Sequence, residues 1–132
     1  MSIKANKVNA HVGPGKDYRI KFEYILKGLP VIVVAKYDNW FKIEDPDRDY
    51  GWLHKSLLSP ERFVISRNQD VAPIMSNSND SSNIIARVSR NVVMKLRSIR
   101  GNWCKVELNY DGKKISGWIN RGNVFGIMNN EG

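Results

Sequence analysis

Few side chains in this chain are of types that do chemistry, and their spacing narrows what they could do. The histidines are His11 and His54, and the single cysteine is Cys104. A transition-metal site usually takes three or four ligands, so two histidines with no cysteine nearby read as surface groups, and no metal or other cofactor is expected. One cysteine cannot form an intrachain disulfide. Set in a β-rich run, Cys104 reads as a small core side chain. Asp45, Asp47 and Asp49 alternate like the start of a calcium loop. An EF-hand would then need Gly at the sixth position and Glu at the twelfth, where Tyr50 and Ser56 stand. The segment therefore reads as a solvated hairpin turn. No Gly-x-Ser-x-Gly, phosphate-binding loop or His-Glu-x-x-His occurs, so no enzymatic activity is expected. What remains is aromatic: Trp40 and Trp103, each followed two residues later by a lysine.

The elements that must carry these residues are strands. Helix signals are nearly absent. Short β-rich runs alternate with Gly, Pro, Asn and Asp turns, the spacing of an all-β barrel or sandwich. Asn39-Trp40-Phe41-Lys42-Ile43 matches Asn102-Trp103-Cys104-Lys105-Val106, and Gly51-Trp52-Leu53-His54-Lys55 matches Gly117-Trp118-Ile119-Asn120-Arg121. The tryptophans lie 12 residues apart in the first copy and 15 in the second, so the copies differ in a hairpin loop. Two matches in the same order make an internal repeat. The expected organisation is a first unit at 1–59, a linker with a short strand (Phe63-Val64-Ile65) at 60–69, and a second unit at 70–132. The polar stretch from Met75 to Asn83 is expected to be a mobile loop. Units of about 60 residues have marginal cores, so the two are expected to pack against each other.

Alternation along a strand assigns faces. Phe41 with Ile43, and Cys104 with Val106, share the core face. Trp40 with Lys42, and Trp103 with Lys105, take the other. Two readings of the off-core tryptophans stay open: the floor of a ligand groove, or a contact between the two barrels. Trp52 and Trp118, each after a glycine, read as core or edge packing.

The net charge is +8, spread as +3 over residues 1–59 (ten basic, seven acidic) and +5 over 60–132 (eleven basic, six acidic). A basic surface favours anionic partners, although no Lys/Arg run exceeds two residues. The longest apolar stretch, Leu29 to Ala35, is too short to span a bilayer, which takes roughly 20 residues. Residues 1–132 do not open on a signal peptide.

The segments Val8-Asn9-Ala10-His11-Val12-Gly13-Pro14-Gly15, Lys27-Gly28-Leu29-Pro30-Val31, Asn39-Trp40-Phe41-Lys42-Ile43 and Gly51-Trp52-Leu53-His54 together resemble the bacterial SH3 family. Its usual form runs Val-Asn-Val-Arg-Ser-Gly-Pro, Lys-Gly, Trp-x-Lys-Val and Gly-Trp-Val. His11 stands where arginine is usual. The second copy keeps both tryptophan segments, but Val71-Ala72-Pro73-Ile74-Met75 replaces the opening motif. The resemblance covers about residues 5–127. It implies two tandem SH3-like five-stranded β-barrels and a targeting or ligand-binding role, commonly at the bacterial envelope, where some relatives bind cell-wall peptides. It is closest to exported tandem proteins of alphaproteobacteria, which implies a periplasmic or exported location and a signal peptide already removed.

On this reading the ligand groove runs from Tyr37 and Trp40, across Tyr50, to His54 and Lys55. The aromatic rings would stack on a peptide or peptidoglycan-type ligand and Lys55 would meet a carboxylate. Proline-rich recognition is not expected, because Ala10 and Leu57-Leu58 stand where aromatic rails would be needed. Two alternatives are single-stranded nucleic acid bound on a basic aromatic surface, and scaffolding through protein partners.

Overall fold

The computed structural model describes residues 1–131. The chain divides into two compact units, Met1–Glu61 and Arg62–Gly132, and both are built of antiparallel β-structure.

In the first unit the strands are β1 (Ser2–Ile3), β2 (Val8–His11), β3 (Ile20–Tyr24), β4 (Ile32–Tyr37), β5 (Trp40–Glu44), β6 (Tyr50–His54) and β7 (Leu58–Ser59), with a 3₁₀ turn at Lys55–Leu57. Five of them form a sheet in the order β3-β2-β6-β5-β4, and β1 pairs with β7. The period-2 alternation sends Val8 and Ala10 of β2, Ile43 of β5 and Leu53 of β6 into a core shared with Ile3 and Val31. Strand β6 crosses β2 at Gly51, where a Cβ would come within 2.9 Å of the Ala10 Cβ. The glycine of the Gly-Trp motif is therefore set by close packing of two strands.

The second unit contains β8 (Phe63–Ser66), β9 (Ala72–Met75), β10 (Ile84–Val88), β11 (Val93–Arg100), β12 (Trp103–Tyr110), β13 (Lys113–Asn120) and β14 (Val124–Phe125), with a 3₁₀ turn at Arg121–Asn123. They form one sheet in the order β10-β9-β13-β12-β11-β8-β14. Val64, Ile74, Met94, Cys104, Val106 and Ile119 lie in its core. Gly117 repeats the role of Gly51 more tightly: a Cβ there would sit 2.7 Å from Ile74, Ile85 and the Met75 carbonyl oxygen. Asp111 and Gly112, both at positive φ, close the long β12–β13 hairpin as a two-residue turn.

The short strand expected within 60–69 is present as β8 (Phe63–Ser66). It pairs with both β11 and β14 and buries Val64 and Ile65, so it is a structural strand of the second unit. Three expectations are corrected. Met75 ends strand β9 and is buried. Hydrogen bonds run within the loop after it. Its own polar groups tie it: Ser76 N–H donates to Asn83 O at 2.8 Å, Asn83 N–H to Ser76 Oγ, and Ser82 Oγ to the Asn77 and Asn79 carbonyls. Serine and asparagine side chains mimic backbone partners in this way.

Asp45 is buried at the base of its turn rather than solvated. It accepts from Tyr24 Oη at 2.7 Å and from the backbone N–H groups of Asp47 and Asp49. Burial, and then that carboxylate, push the Tyr24 phenol well above its ordinary range. Finally, Phe41 is only half-buried, with Lys36 Nζ 5.1 Å from its ring centroid. Its partner Ile43 is fully buried.

Candidate functional site

The outer face of the first unit's sheet gathers aromatic and imidazole rings around Trp40. This residue opens β5 immediately after the turn at Asp38, whose φ is +50°. Its register partners are Tyr37 on β4 and His54 on β6. His11 ends β2 opposite Trp52 of β6. Both imidazoles stand edge-on to the Trp40 indole, each with its centroid 5.5 Å away and its plane at 89°. Aromatic pairs favour such edge-to-face geometry.

Each histidine is held by its own backbone contact, and the contacts fix opposite tautomers. His11 Nδ1 lies 2.7 Å from the Tyr18 carbonyl. A carbonyl only accepts, so Nδ1 carries the hydrogen, and in the neutral ring Nε2 keeps a lone pair. His54 Nδ1 accepts from Ser56 N–H at 3.2 Å, capping the 3₁₀ turn. Its Nε2 therefore carries the hydrogen. Trp40 is thus flanked by one ring that accepts at Nε2 and one that donates. The Tyr18 ring occupies the space a Cβ on residue 13 would need. Gly13 therefore lets the Gly-Pro-Gly loop fold back so that Tyr18 reaches His11.

Of the five expected site residues, Tyr37, Trp40 and His54 are neighbours by register. Lys55 follows His54 at the start of the 3₁₀ turn. Its side chain is exposed, and its N–H donates to Asn39 O at 2.8 Å. Tyr50 does not join them. It begins β6, four residues from His54, or roughly 13 Å along a strand, and lies beneath Lys42 Nζ at 5.3 Å. Two residues outside the expected five belong to the cluster, His11 and Trp52. Alternation placed Trp52 on the His54 face, two residues away. His11 was marked by standing where the family usually has arginine.

The second unit keeps the frame and changes the rings. Trp118 pairs with Met75 as Trp52 pairs with His11, and Asn120 pairs with Trp103 as His54 pairs with Trp40. Asn120 Oδ1 accepts from Gly122 N–H at 2.9 Å, the same capping job that His54 does. Met75 is buried, and Trp118 is 9% exposed beneath Arg100 and Lys105, 5.1 and 6.0 Å from its ring. An open cleft of about 330 Å³ on this unit is lined by Phe63, Val92, Val93, Lys95 and residues Glu107 to Asn109, without Trp103.

The chain matches the family model described as bacterial SH3 domain twice, over residues 4–60 and 68–126. It belongs to the bacterial SH3 domain family. The two matches make it a tandem pair of SH3-like domains, and SH3 domains are generally binding modules rather than enzymes. Among curated proteins none matches the chain.

The other chemistry-bearing residues of these SH3-like domains have structural surroundings. Cys104 is buried, and burial pushes its thiol above the ordinary range, towards the unreactive protonated form. Among the described residues no group of three or more His, Cys, Asp or Glu is placed to hold a metal ion, and no helix is long and apolar enough to cross a membrane.

Proposed function

We propose that this chain is a non-enzymatic binding module of the bacterial envelope, periplasmic or exported, whose first domain takes a cell-wall peptide or peptidoglycan-type ligand on the Trp40 face. One observation carries the reading: a half-exposed indole on the outer sheet face, held between two imidazoles that are themselves anchored to backbone. A ring fixed this way offers a stacking surface at little entropic cost. The His11 and His54 Nε2 atoms supply an acceptor and a donor, as amide-rich peptides require. Exposed Lys55 is suited to a peptide carboxylate. The basic balance of the chain favours anionic polymers in the same direction.

The test is co-sedimentation with purified peptidoglycan. The wild type should pellet with the polymer, and Trp40→Ala should reduce the bound fraction at least tenfold. Failure of the wild type to bind would remove the cell-wall reading. Binding instead to oligonucleotides, weakening steeply with salt, would replace it with nucleic-acid recognition.

A further inference from the structure

The two domains cap the same turn with different chemistry. In the second, Asn120 Oδ1 accepts from Gly122 N–H at 2.9 Å, and an amide oxygen accepts in acid as it does at neutral pH. In the first, the acceptor is an imidazole nitrogen. His54 Nδ1 takes Ser56 N–H at 3.2 Å and lies 2.8 Å from Ser56 Oγ. It accepts only while it carries no hydrogen. Histidine is the side chain type whose charge changes between about pH 5 and 8. A proton on Nδ1 makes that nitrogen a donor to Ser56 Oγ and hands the exposed Ser56 N–H to water.

His11 responds in the opposite way. Its Nδ1 already donates to Tyr18 O, so an added proton goes to Nε2. The anchor to the loop survives, and the acceptor at Nε2 is lost. Both rings stand 5.5 Å from the Trp40 indole, so protonation brings positive charge beside it from each. Among the described residues neither imidazole is ion-paired with a carboxylate. The charged groups of the neighbouring elements are Lys42 on the Trp40 face of β5, Asp38 in the turn before it, and Lys55 and Lys4 at the two ends of the 3₁₀ turn. The loop that holds His11 adds Lys16, Asp17 and Arg19, and the nearby phenols are Tyr18 and Tyr37. In the second domain the two imidazole positions hold Met75 and Asn120, which do not titrate.

We infer that the Trp40 cluster is a proton switch confined to the first domain. At neutral pH the 3₁₀ turn is capped by His54, and the indole is flanked by one acceptor and one donor. In acid Ser56 N–H loses its cap, and the indole is flanked by two cationic donors. Every group involved lies within the first domain, so the switch operates without a ligand. Its consequence for binding rests on the reading above: an amide N–H that His11 Nε2 accepts at neutral pH meets a second donor in acid, and a peptide ligand is released.

The test is an NMR titration of the full-length chain from about pH 7.5 to 5, with Trp40 emission read as the difference between the wild type and Trp40→Phe. The Ser56 amide proton should move upfield with the midpoint of the His54 ring protons, while the Gly122 amide proton stays in place. Trp40 emission should fall over the same range, because an imidazolium quenches indole fluorescence. His54→Asn, which keeps a cap of the Asn120 kind, should hold the Ser56 amide fixed. His11→Gln should leave the Ser56 titration intact, and the double variant should abolish the change in emission. Where the wild type pellets with peptidoglycan at neutral pH, its bound fraction should fall at least fivefold at about pH 5, and less in His11→Gln. A Ser56 amide that stays fixed in the wild type or still titrates in His54→Asn would overturn the switch. So would an emission change that survives the double variant. Equal sedimentation at both pH values would overturn the release of ligand. Failure to pellet at any pH would count against the cell-wall reading alone, and the amide and emission titrations would still decide the switch.

Discussion

The first domain holds His11, Trp40 and His54 where the second holds Met75, Trp103 and Asn120. The frame beneath them is shared: the same strand crossing at a glycine, the same side-chain cap on the 3₁₀ turn, and the same bond from the residue after the cap to the carbonyl before the tryptophan. What differs is which groups face outward. Imidazoles bring hydrogen-bonding edges to Trp40. In the second domain a buried methionine replaces one of them, and cationic chains cover Trp118. Frame and site are therefore separable in this fold: two copies can keep one and diverge in the other.

The largest expected effects fall on the shared frame. Gly117→Ala forces a methyl against the Met75 carbonyl and two isoleucine side chains, while Gly51→Ala meets one alanine methyl. Overpacking costs about 1–3 kcal/mol, and Gly117→Ala should sit at the upper end. In a domain of this size each 1 kcal/mol lowers Tm by about 4–8 °C. Hydrogen exchange read domain by domain should show the second domain losing more protection from its substitution than the first does from Gly51→Ala. Equal losses would mean that the tighter packing around Gly117 adds no cost.

The caps come next. His54→Ala removes the acceptor for Ser56 N–H and should cost about 1 kcal/mol. His54→Asn should restore the cap, since Asn120 does that job in the second domain, without restoring the ring beside Trp40. Thermal melts and ligand affinity should therefore separate in His54→Asn: stability recovered, binding still reduced. Recovery of both would show that His54 serves only the turn.

The sheet and the repeat were legible in the sequence because they rest on local signals: period-2 alternation, turn residues, and a glycine before each tryptophan. Parity alone placed Trp40 off the core face. The pairing of His11 with Trp40 was not legible, because it depends on how β2 registers against β6 far along the chain. Asp45 reads as a solvated turn until Tyr24, distant in sequence, is seen to close over it. The short strand after Pro60 was legible as β-rich, but its two pairing partners, β11 and β14, lie too far along the chain for local signals to show. Tyr50 shares a face with His54, yet alternation says nothing about distance along the strand.

The smallest expected effect is in acid. Hydrogen bonds from Arg97 and then Lys114 hold the Glu107 carboxyl down to about 2, and Arg62 holds Glu131 below the usual carboxylate range. A carboxyl depressed in the folded state stabilises above its unfolded value of about 4.3 and loses that contribution as pH falls through the folded one. Both pairs lie in the second domain. Between about pH 4.5 and 2, its exchange protection should therefore fall, and Glu107→Gln should flatten that part of the profile. An unchanged profile in that variant would place the acid sensitivity elsewhere.

The central claim is that Trp40, and not its counterpart Trp103, meets the ligand. Fluorescence titration with purified peptidoglycan fragments tests it most directly, using Trp40→Phe and Trp103→Phe. Fragment addition should perturb emission in the wild type and in Trp103→Phe, and the response should be lost in Trp40→Phe. A response kept in Trp40→Phe and lost in Trp103→Phe would contradict it.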